Sequence, residues 1–224
     1  MTIKEAVVMK SQPRPLLILG ARTLAVEVAD FVSEIPSFQM VGFVENLDPQ
    51  RCREKLENLP ILWVEELRQL AATHWAVCAL ATTHRSRFTN QVAAYGLPFA
   101  TLIHPTARIS HTSSLGEGSI ISPGVIIASH TRLGCHVLVN RGALIGHHTE
   151  IGDHVTIQPG ANIAAKCRIG PATYIAMGAL LLDGMTVGSQ VVVGAGAVVT
   201  RDVPDRVQVV GVPARIVKEN IDGK

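Results

Sequence analysis

The stretch Ile145-Gly146-His147-His148-Thr149-Glu150-Ile151-Gly152-Asp153-His154-Val155-Thr156 is two six-residue units in one register. The same unit runs from Ile103 to Pro204, seventeen times without a slip. Its lead residues, from Ile103 and Ile109 to Val193 and Val199, are all Ile, Leu or Val. Four places after each lead stands a small or β-branched residue, Met185 excepted. A period of six is neither the 3.6 of a helix nor the alternation of a half-buried strand. It suits short strands joined by regular turns, with Gly, Asn or Asp often at the turn, as in Ile151-Gly152 and Val187-Gly188. Three units make one triangular coil of a parallel β-helix. Successive coils stack about 4.8 Å apart. The small column is required because so narrow a prism cannot hold two large side chains per unit.

With lead and small residues spent on the core, function belongs to outward positions. Seven of the nine histidines fall in the repeat. Residues eighteen apart stack, so His130 lies under His148 with Lys166 above, His136 lies under His154, and His147 sits between Ser129 and Ala165. His111, His136 and His154 read as exposed turn residues. His147 and His148 lie halfway along the rod, where an imidazole suits removal of a proton from an amine or hydroxyl near neutral pH.

The rest of the chain reads differently. Residues 1–14 form a leader ending at Pro13 and Pro15, residues 15–102 a small Rossmann-like α/β domain, residues 103–204 the repeat, and residues 205–224 a C-terminal extension. Apolar strands at Leu16–Leu19, Met40–Val44, Ile61–Leu62, Trp75–Leu80 and Phe99–Ile103 alternate with helical spacing at Leu24–Ser33, Glu65–Ala71 and Arg85–Tyr95. Ligands of such sheets sit at the carboxyl ends of the strands. Those ends carry Gly20–Thr23, Glu45–Asn46 and Ala81–Thr83.

Lys and Arg number 20 against 18 Asp and Glu, and aromatics are only 4%, so nucleic acid is not an expected partner. No apolar run is long enough to insert in a membrane, and no signal-peptide pattern opens the chain. Four cysteines without a CxxC pair predict free thiols and a cytoplasmic protein. No metal is expected: His130 and His147 resemble part of a trimeric carbonic anhydrase zinc set, but its closing position falls on Gly152.

From about Leu16 onward the chain resembles the hexapeptide-repeat nucleotide-sugar acetyltransferases of the sialic acid O-acetyltransferase family, which includes UDP-bacillosamine acetyltransferases. The likeness rests on Leu16–Ala21, Val41–Asn46, Phe99–Ala107, Val139–Ala143, Val193–Val199 and Val210–Arg215. It implies a left-handed β-helix, a homotrimer, acetyl-CoA as co-substrate bound between neighbouring rods, and a nucleotide-sugar acceptor. It places His147 on the catalytic base and Asn140 on an active-site asparagine. His148 takes the place of an acidic residue beside the base, with Glu150 and Asp153 as the nearby carboxylates. Thr156 takes the place of a histidine that touches the thioester. Ala165, Met177, Ala195 and Arg215 fall toward CoA, as does Lys218. Gly20, Arg22, Thr23, Leu24, Glu45, Asn46 and Ala81 fall on nucleotide-sugar positions. The implied reaction is N-acetylation of an amino sugar. O-acetylation of a sugar hydroxyl and a catalytically weak trimeric scaffold stay open at this point.

Overall fold

The structure, a computed structural model, describes residues 12–224. All but the last three residues of the expected leader thus lie outside the described residues, and strand pairing begins inside it, at Arg14. The α/β domain is built on β1 (Arg14–Leu19), β2 (Phe38–Glu45), β3 (Lys55–Leu56), β4 (Leu59–Trp63) and β5 (Trp75–Cys78), with α1 (Thr23–Val32) and α2 (Ser86–Ala93). The sheet order is β3-β4-β2-β1-β5. It is parallel except for the β3–β4 hairpin, which the sequence reading did not anticipate. The segment expected as helix over Glu65–Ala71 is a 3-10 helix at Val64–Gln69. The expected fifth strand, Phe99–Ile103, is split. Phe99 makes one bridge to Ala76, and Leu102–Ile103 already belongs to the rod.

The rod carries seventeen two-residue strands, each ending on a lead residue. Partners are eighteen residues apart throughout, as in Leu138↔Thr156 and Leu144↔Asn162. Three parallel faces result. The first runs from Leu102–Ile103 to Val192–Val193 and continues into Gln208–Val210 and the antiparallel Arg215–Lys218. The second runs from Arg108–Ile109 to Val198–Val199, and the third from Ser114–Leu115 to Thr186–Val187. Lead and small residues from Ile121 to Val199 fill the interior, and Val203, Val207 and Val209 close its upper end. Among the described residues nothing caps the lower end, and the lead residue Ile103 is 42% exposed. Hydroxyls in the small column stay inside because they find carbonyls: Thr131 Oγ1 donates to Gly146 (2.8 Å) and Thr173 Oγ1 to Gly188 (2.7 Å).

The residue before each lead points outward, and it distinguishes the faces. On the first it is Leu102, Ile120 and Leu138, which pack into one core with Leu16, Ile18, Phe31 and Phe43. The α/β domain is therefore seated on the first face. Polar struts fix it there. Arg85 is fully buried between the domains and makes five hydrogen bonds: to the carbonyls of Thr82 (2.8 Å), Val155 (2.8 Å) and His136 (3.1 and 2.7 Å), and to Thr156 Oγ1 (2.6 Å). His104 Nδ1 accepts from the Thr106 backbone N–H (3.1 Å), and its Nε2 faces Glu34 of the loop after α1 at 3.4 Å. The third face is polar, with Arg132, Glu150 and Arg168 in one ladder.

His136 and His154 are not the exposed turn residues expected. His136 is buried against Phe99 (ring centroids 4.5 Å) and stacks on His154 (5.0 Å), which meets Thr89 of α2 at 3.2 Å. The α/β domain covers this corner, a fact that the repeat alone does not announce. Burial, with His154 and Arg85 adding positive potential, lowers the His136 imidazole to about 4.

Candidate active site

The corner between the second and third faces carries His147 and His148. Gly146 precedes them because the next coil passes too close for a side chain: a Cβ there would stand 2.5 Å from the Ala164 carbonyl carbon. His148 takes the left-handed conformation (φ 57°) that turns the chain. The turn is pinned by His148 N–H to the Ser129 carbonyl (2.9 Å) and Lys166 N–H to the His147 carbonyl (2.8 Å). Both imidazoles are exposed. Their Nδ1 atoms are 3.0 Å apart, and the His148 ring lies 4.8 Å from that of His130. Desolvation, followed by the charges of His130, His147 and Lys166, holds His148 below the ordinary histidine range. Neither nearby carboxylate supports His147. Glu150 lies 3.5 Å from Arg132 and 3.8 Å from Arg168 along the third face, and Asp153 accepts from the Cys135 N–H (2.8 Å).

The opposite edge of the second face, its corner with the first, carries Asn140, Met177 and Ala195 on rising coils. Asn140 is buried. Its Oδ1 accepts from the Arg141 backbone N–H (2.8 Å) and lies 3.5 Å from Arg141 Nη1, so its Nδ2 hydrogens are the unspent donors. Arg141 is in turn held by Glu27 of α1. Met177 and Ala195 are exposed, and Arg215 and Lys218 stand exposed in the last strand above them. Ala165 is half-buried on the His147 corner, one coil up, its N–H donated to Asp183 (2.9 Å). Between the two edges lies a largely apolar face: Ile126, Leu144 and Leu180 point outward and are exposed, with Asn162 between the last two and Arg108 at the foot. One chain thus places Asn140, Met177 and Ala195 on one side of this face and His147 and His148 on the other.

Thr156 requires correction. It lies on the first face, fully buried beneath the α/β domain with its hydroxyl on Arg85, so it does not reach a CoA groove. The outward position before its lead residue was the available signal, since that column is otherwise Leu, Ile, Tyr and Val.

In the α/β domain the expected residues gather at the strand ends. Gly20 has φ 105°, and a Cβ there would meet Leu80 Cδ2 at 2.9 Å, so glycine is required. Arg22 and Thr23 open α1 and are exposed; Leu24 and Ala81 are half-buried. Glu45 is buried and largely committed. Its Oε1 accepts from the N–H groups of Asn46 and Leu47 (both 2.9 Å), and Arg51 lies 3.6 Å from its Oε2. It shapes the turn at Asn46. Beside α1 a cavity of about 550 Å³ is lined by Thr23, Glu27, Asp30, Met40, Glu57 and Leu59. Of these the sequence reading named only Thr23. Among the described residues no three His, Cys, Asp or Glu side chains gather as a metal site, and no helix is long and apolar enough to cross a membrane.

Residues 130–165 match the family model described as bacterial transferase hexapeptide (six repeats). A comparison with curated proteins finds no match. Solved structures match along almost the whole chain. One is a mutant of perosamine N-acetyltransferase from Caulobacter crescentus in complex with CoA and GDP-perosamine, at 26% identity and TM-score 0.85, covering 92% of this chain and 97% of that one. Another is the acetyltransferase domain of PglB from Neisseria gonorrhoeae in complex with acetyl coenzyme A, at 28% identity and TM-score 0.84, covering 92% of this chain and 100% of that one. A third is WeeI from Acinetobacter baumannii, at 25% identity and TM-score 0.69, covering 91% and 100%. The α/β domain joined to a left-handed β-helix is the fold of these neighbours, and it fits a hexapeptide-repeat acyltransferase. Within that class the chain fits the nucleotide-sugar acetyltransferases.

Proposed function

We propose that this chain transfers the acetyl group of acetyl-CoA to the amino group of a nucleotide-linked amino sugar, with His147 as general base. The observation that carries the reading is the arrangement around the second face. An exposed apolar surface is flanked on one side by an exposed imidazole pair and on the other by Asn140, Met177 and Ala195. A surface of this kind calls for a partner. A second and third copy of the chain, packed head to tail about a threefold axis, would cover it. In such a ring the Asn140 edge of one copy meets the His147 edge of the next, and the site is complete only between copies. The neighbours that hold CoA and GDP-perosamine support the choice of both substrates.

Acetyl-CoA supplies an activated acyl carbon and a thiol leaving group. The chain supplies the rest. His147 takes a proton from the amine as nitrogen bonds to the acyl carbon. The Asn140 Nδ2 hydrogens meet the charge gathering on the acyl oxygen. As the carbon–sulfur bond breaks, the protonated imidazole returns the proton to the departing thiolate, which leaves as the thiol. Met177 and Ala195 offer a small apolar wall for the pantetheine arm, and the cations Arg215 and Lys218 suit its phosphates. The strand ends at Gly20–Leu24, Asn46 and Ala81 hold the nucleotide. The free thiols fit the cytoplasm.

The test mixes purified protein with acetyl-CoA, a thiol reagent and a panel of UDP- and GDP-linked amino sugars. Thiol release that depends on an amino sugar supports the reading. Release with hydroxyl sugars alone, or with none, overturns it.

A further inference from the structure

The strongest unspent observation is the contact between the two imidazoles. A 3.0 Å approach of one Nδ1 to another allows two arrangements of a single proton. If His148 donates, the proton of neutral His147 sits on Nε2 and no lone pair remains to act as a base. If His147 donates, its Nε2 is bare and points away from the pair. The reading of His147 as general base, on which this inference rests, therefore demands the second arrangement.

We propose that His148 is a positioning residue: its neutral Nδ1 accepts the His147 Nδ1–H, fixing the tautomer that leaves His147 Nε2 free, as a carboxylate would do in its place. The geometry supports the exchange. The two rings stand at 88° with centroids 5.1 Å apart, so the lone pair of one can face the N–H of the other. The carboxylates in reach are spent elsewhere, Glu150 on Arg132 and Arg168 and Asp153 on the Cys135 N–H. The surroundings keep His148 in the accepting state. His130 stacks below it, Lys166 follows it on the coil above, and His147 stands beside it. Each disfavours a further positive charge there, in line with its lowered pKa. Among the described residues, those are the titratable and charged groups that bear on it. The eighteen-residue ladder thus keeps the acceptor neutral, so that His148 fixes the His147 tautomer as an acid would, without the acid's negative charge.

Two variants separate this role from packing. His148 has φ 57°, where glycine is unstrained and asparagine is well tolerated. His148→Gly removes the acceptor without straining the turn, and His148→Asn restores an acceptor that cannot titrate. We expect His148→Gly to lose roughly 10- to 100-fold in kcat at unchanged or raised Tm, and His148→Asn to recover most of it. A turn residue with only a structural role gives full activity in His148→Gly, and that outcome overturns the proposal. A second readout does not need turnover. Nitrogen-15 spectra of imidazole-labelled protein at pH 7.5 report the tautomer of each ring. His147 protonated on Nδ1 and bare on Nε2 is expected, and the reverse tautomer overturns the proposal. If no amino sugar is acetylated at all, the functional reading fails, while the spectra still decide the hydrogen bond.

Discussion

Replacing Arg85 by methionine removes a buried cation that stitches the α/β domain to the rod. Its five hydrogen bonds end on three backbone carbonyls and a hydroxyl, with no carboxylate among them. Burial lowers the guanidinium to about 10, which leaves it charged at neutral pH. Bonds to a charged group contribute about 1.5–3 kcal/mol each. Stripping water from the ion costs several kcal/mol in return, so the net loss is set by the buried carbonyls and hydroxyl left without a donor, about 3–5 kcal/mol in all. For a chain of this length that is a fall in Tm of roughly 10 °C. Arg85→Lys keeps the charge but not the planar fork, and its loss should approach that of methionine. Thr156→Val deletes a single acceptor and should cost about 1–3 kcal/mol. Differential scanning calorimetry of the three variants beside wild type is the assay. A methionine variant melting within about 2 °C of wild type would refute the strut, because five bonds cannot be lost so lightly unless desolvation had already cancelled them.

His147→Ala should slow acetyl transfer roughly 10²–10⁴-fold with little change in the KM for acetyl-CoA, read by thiol release; a near-normal rate removes His147 from the mechanism. Leu180→Glu places a charge on the exposed second face, and light scattering should find it monomeric and inactive; an intact oligomer would mean that another face carries the contact. His136 binds its proton at about 4 when folded against 6.5 when free, so the folded state holds fewer protons between those values. That stability is present above pH 6.5 and is lost as pH falls toward 4, by roughly 3 kcal/mol. The fall of Tm with acid should be shallower in His136→Asn, whose φ of 55° asparagine tolerates; an unchanged slope would put the acid sensitivity elsewhere.

The rod was legible because nothing interrupts its period: every lead residue from Ile121 to Val199 is buried, and the eighteen-residue stacking of His130 on His148 and His136 on His154 is found as read. The seating of the α/β domain was written in the sequence too, but in a column not read, the outward Leu102, Ile120 and Leu138. Without that column, His136 and His154 looked like solvent-facing turns and Thr156 like a groove residue. Arg85 was not legible at all, since an arginine at a helix start shows no sign of being buried until the partner carbonyls of His136 and Val155 arrive from 51 and 70 residues away. The commitment of Glu45 to its own turn was equally hidden, because a carboxylate at a strand end has the same spelling whether it waits for a ligand or holds the backbone.

The seating of one domain on fixed coils of a regular rod makes height a counted quantity. The coils that bear Leu102 to Leu138 set the level of the α/β domain, and His147 stands at its own level above the foot of the rod. Arg215 lies further up, past the coils of Ile163, Ile175 and Val193. Removing one full turn between His147 and Arg215 would leave every column aligned yet shorten that span by about 4.8 Å. The molecule is in this sense a ruler graduated in single coils, and the distance it sets between His147 and Arg215 can change only by whole divisions.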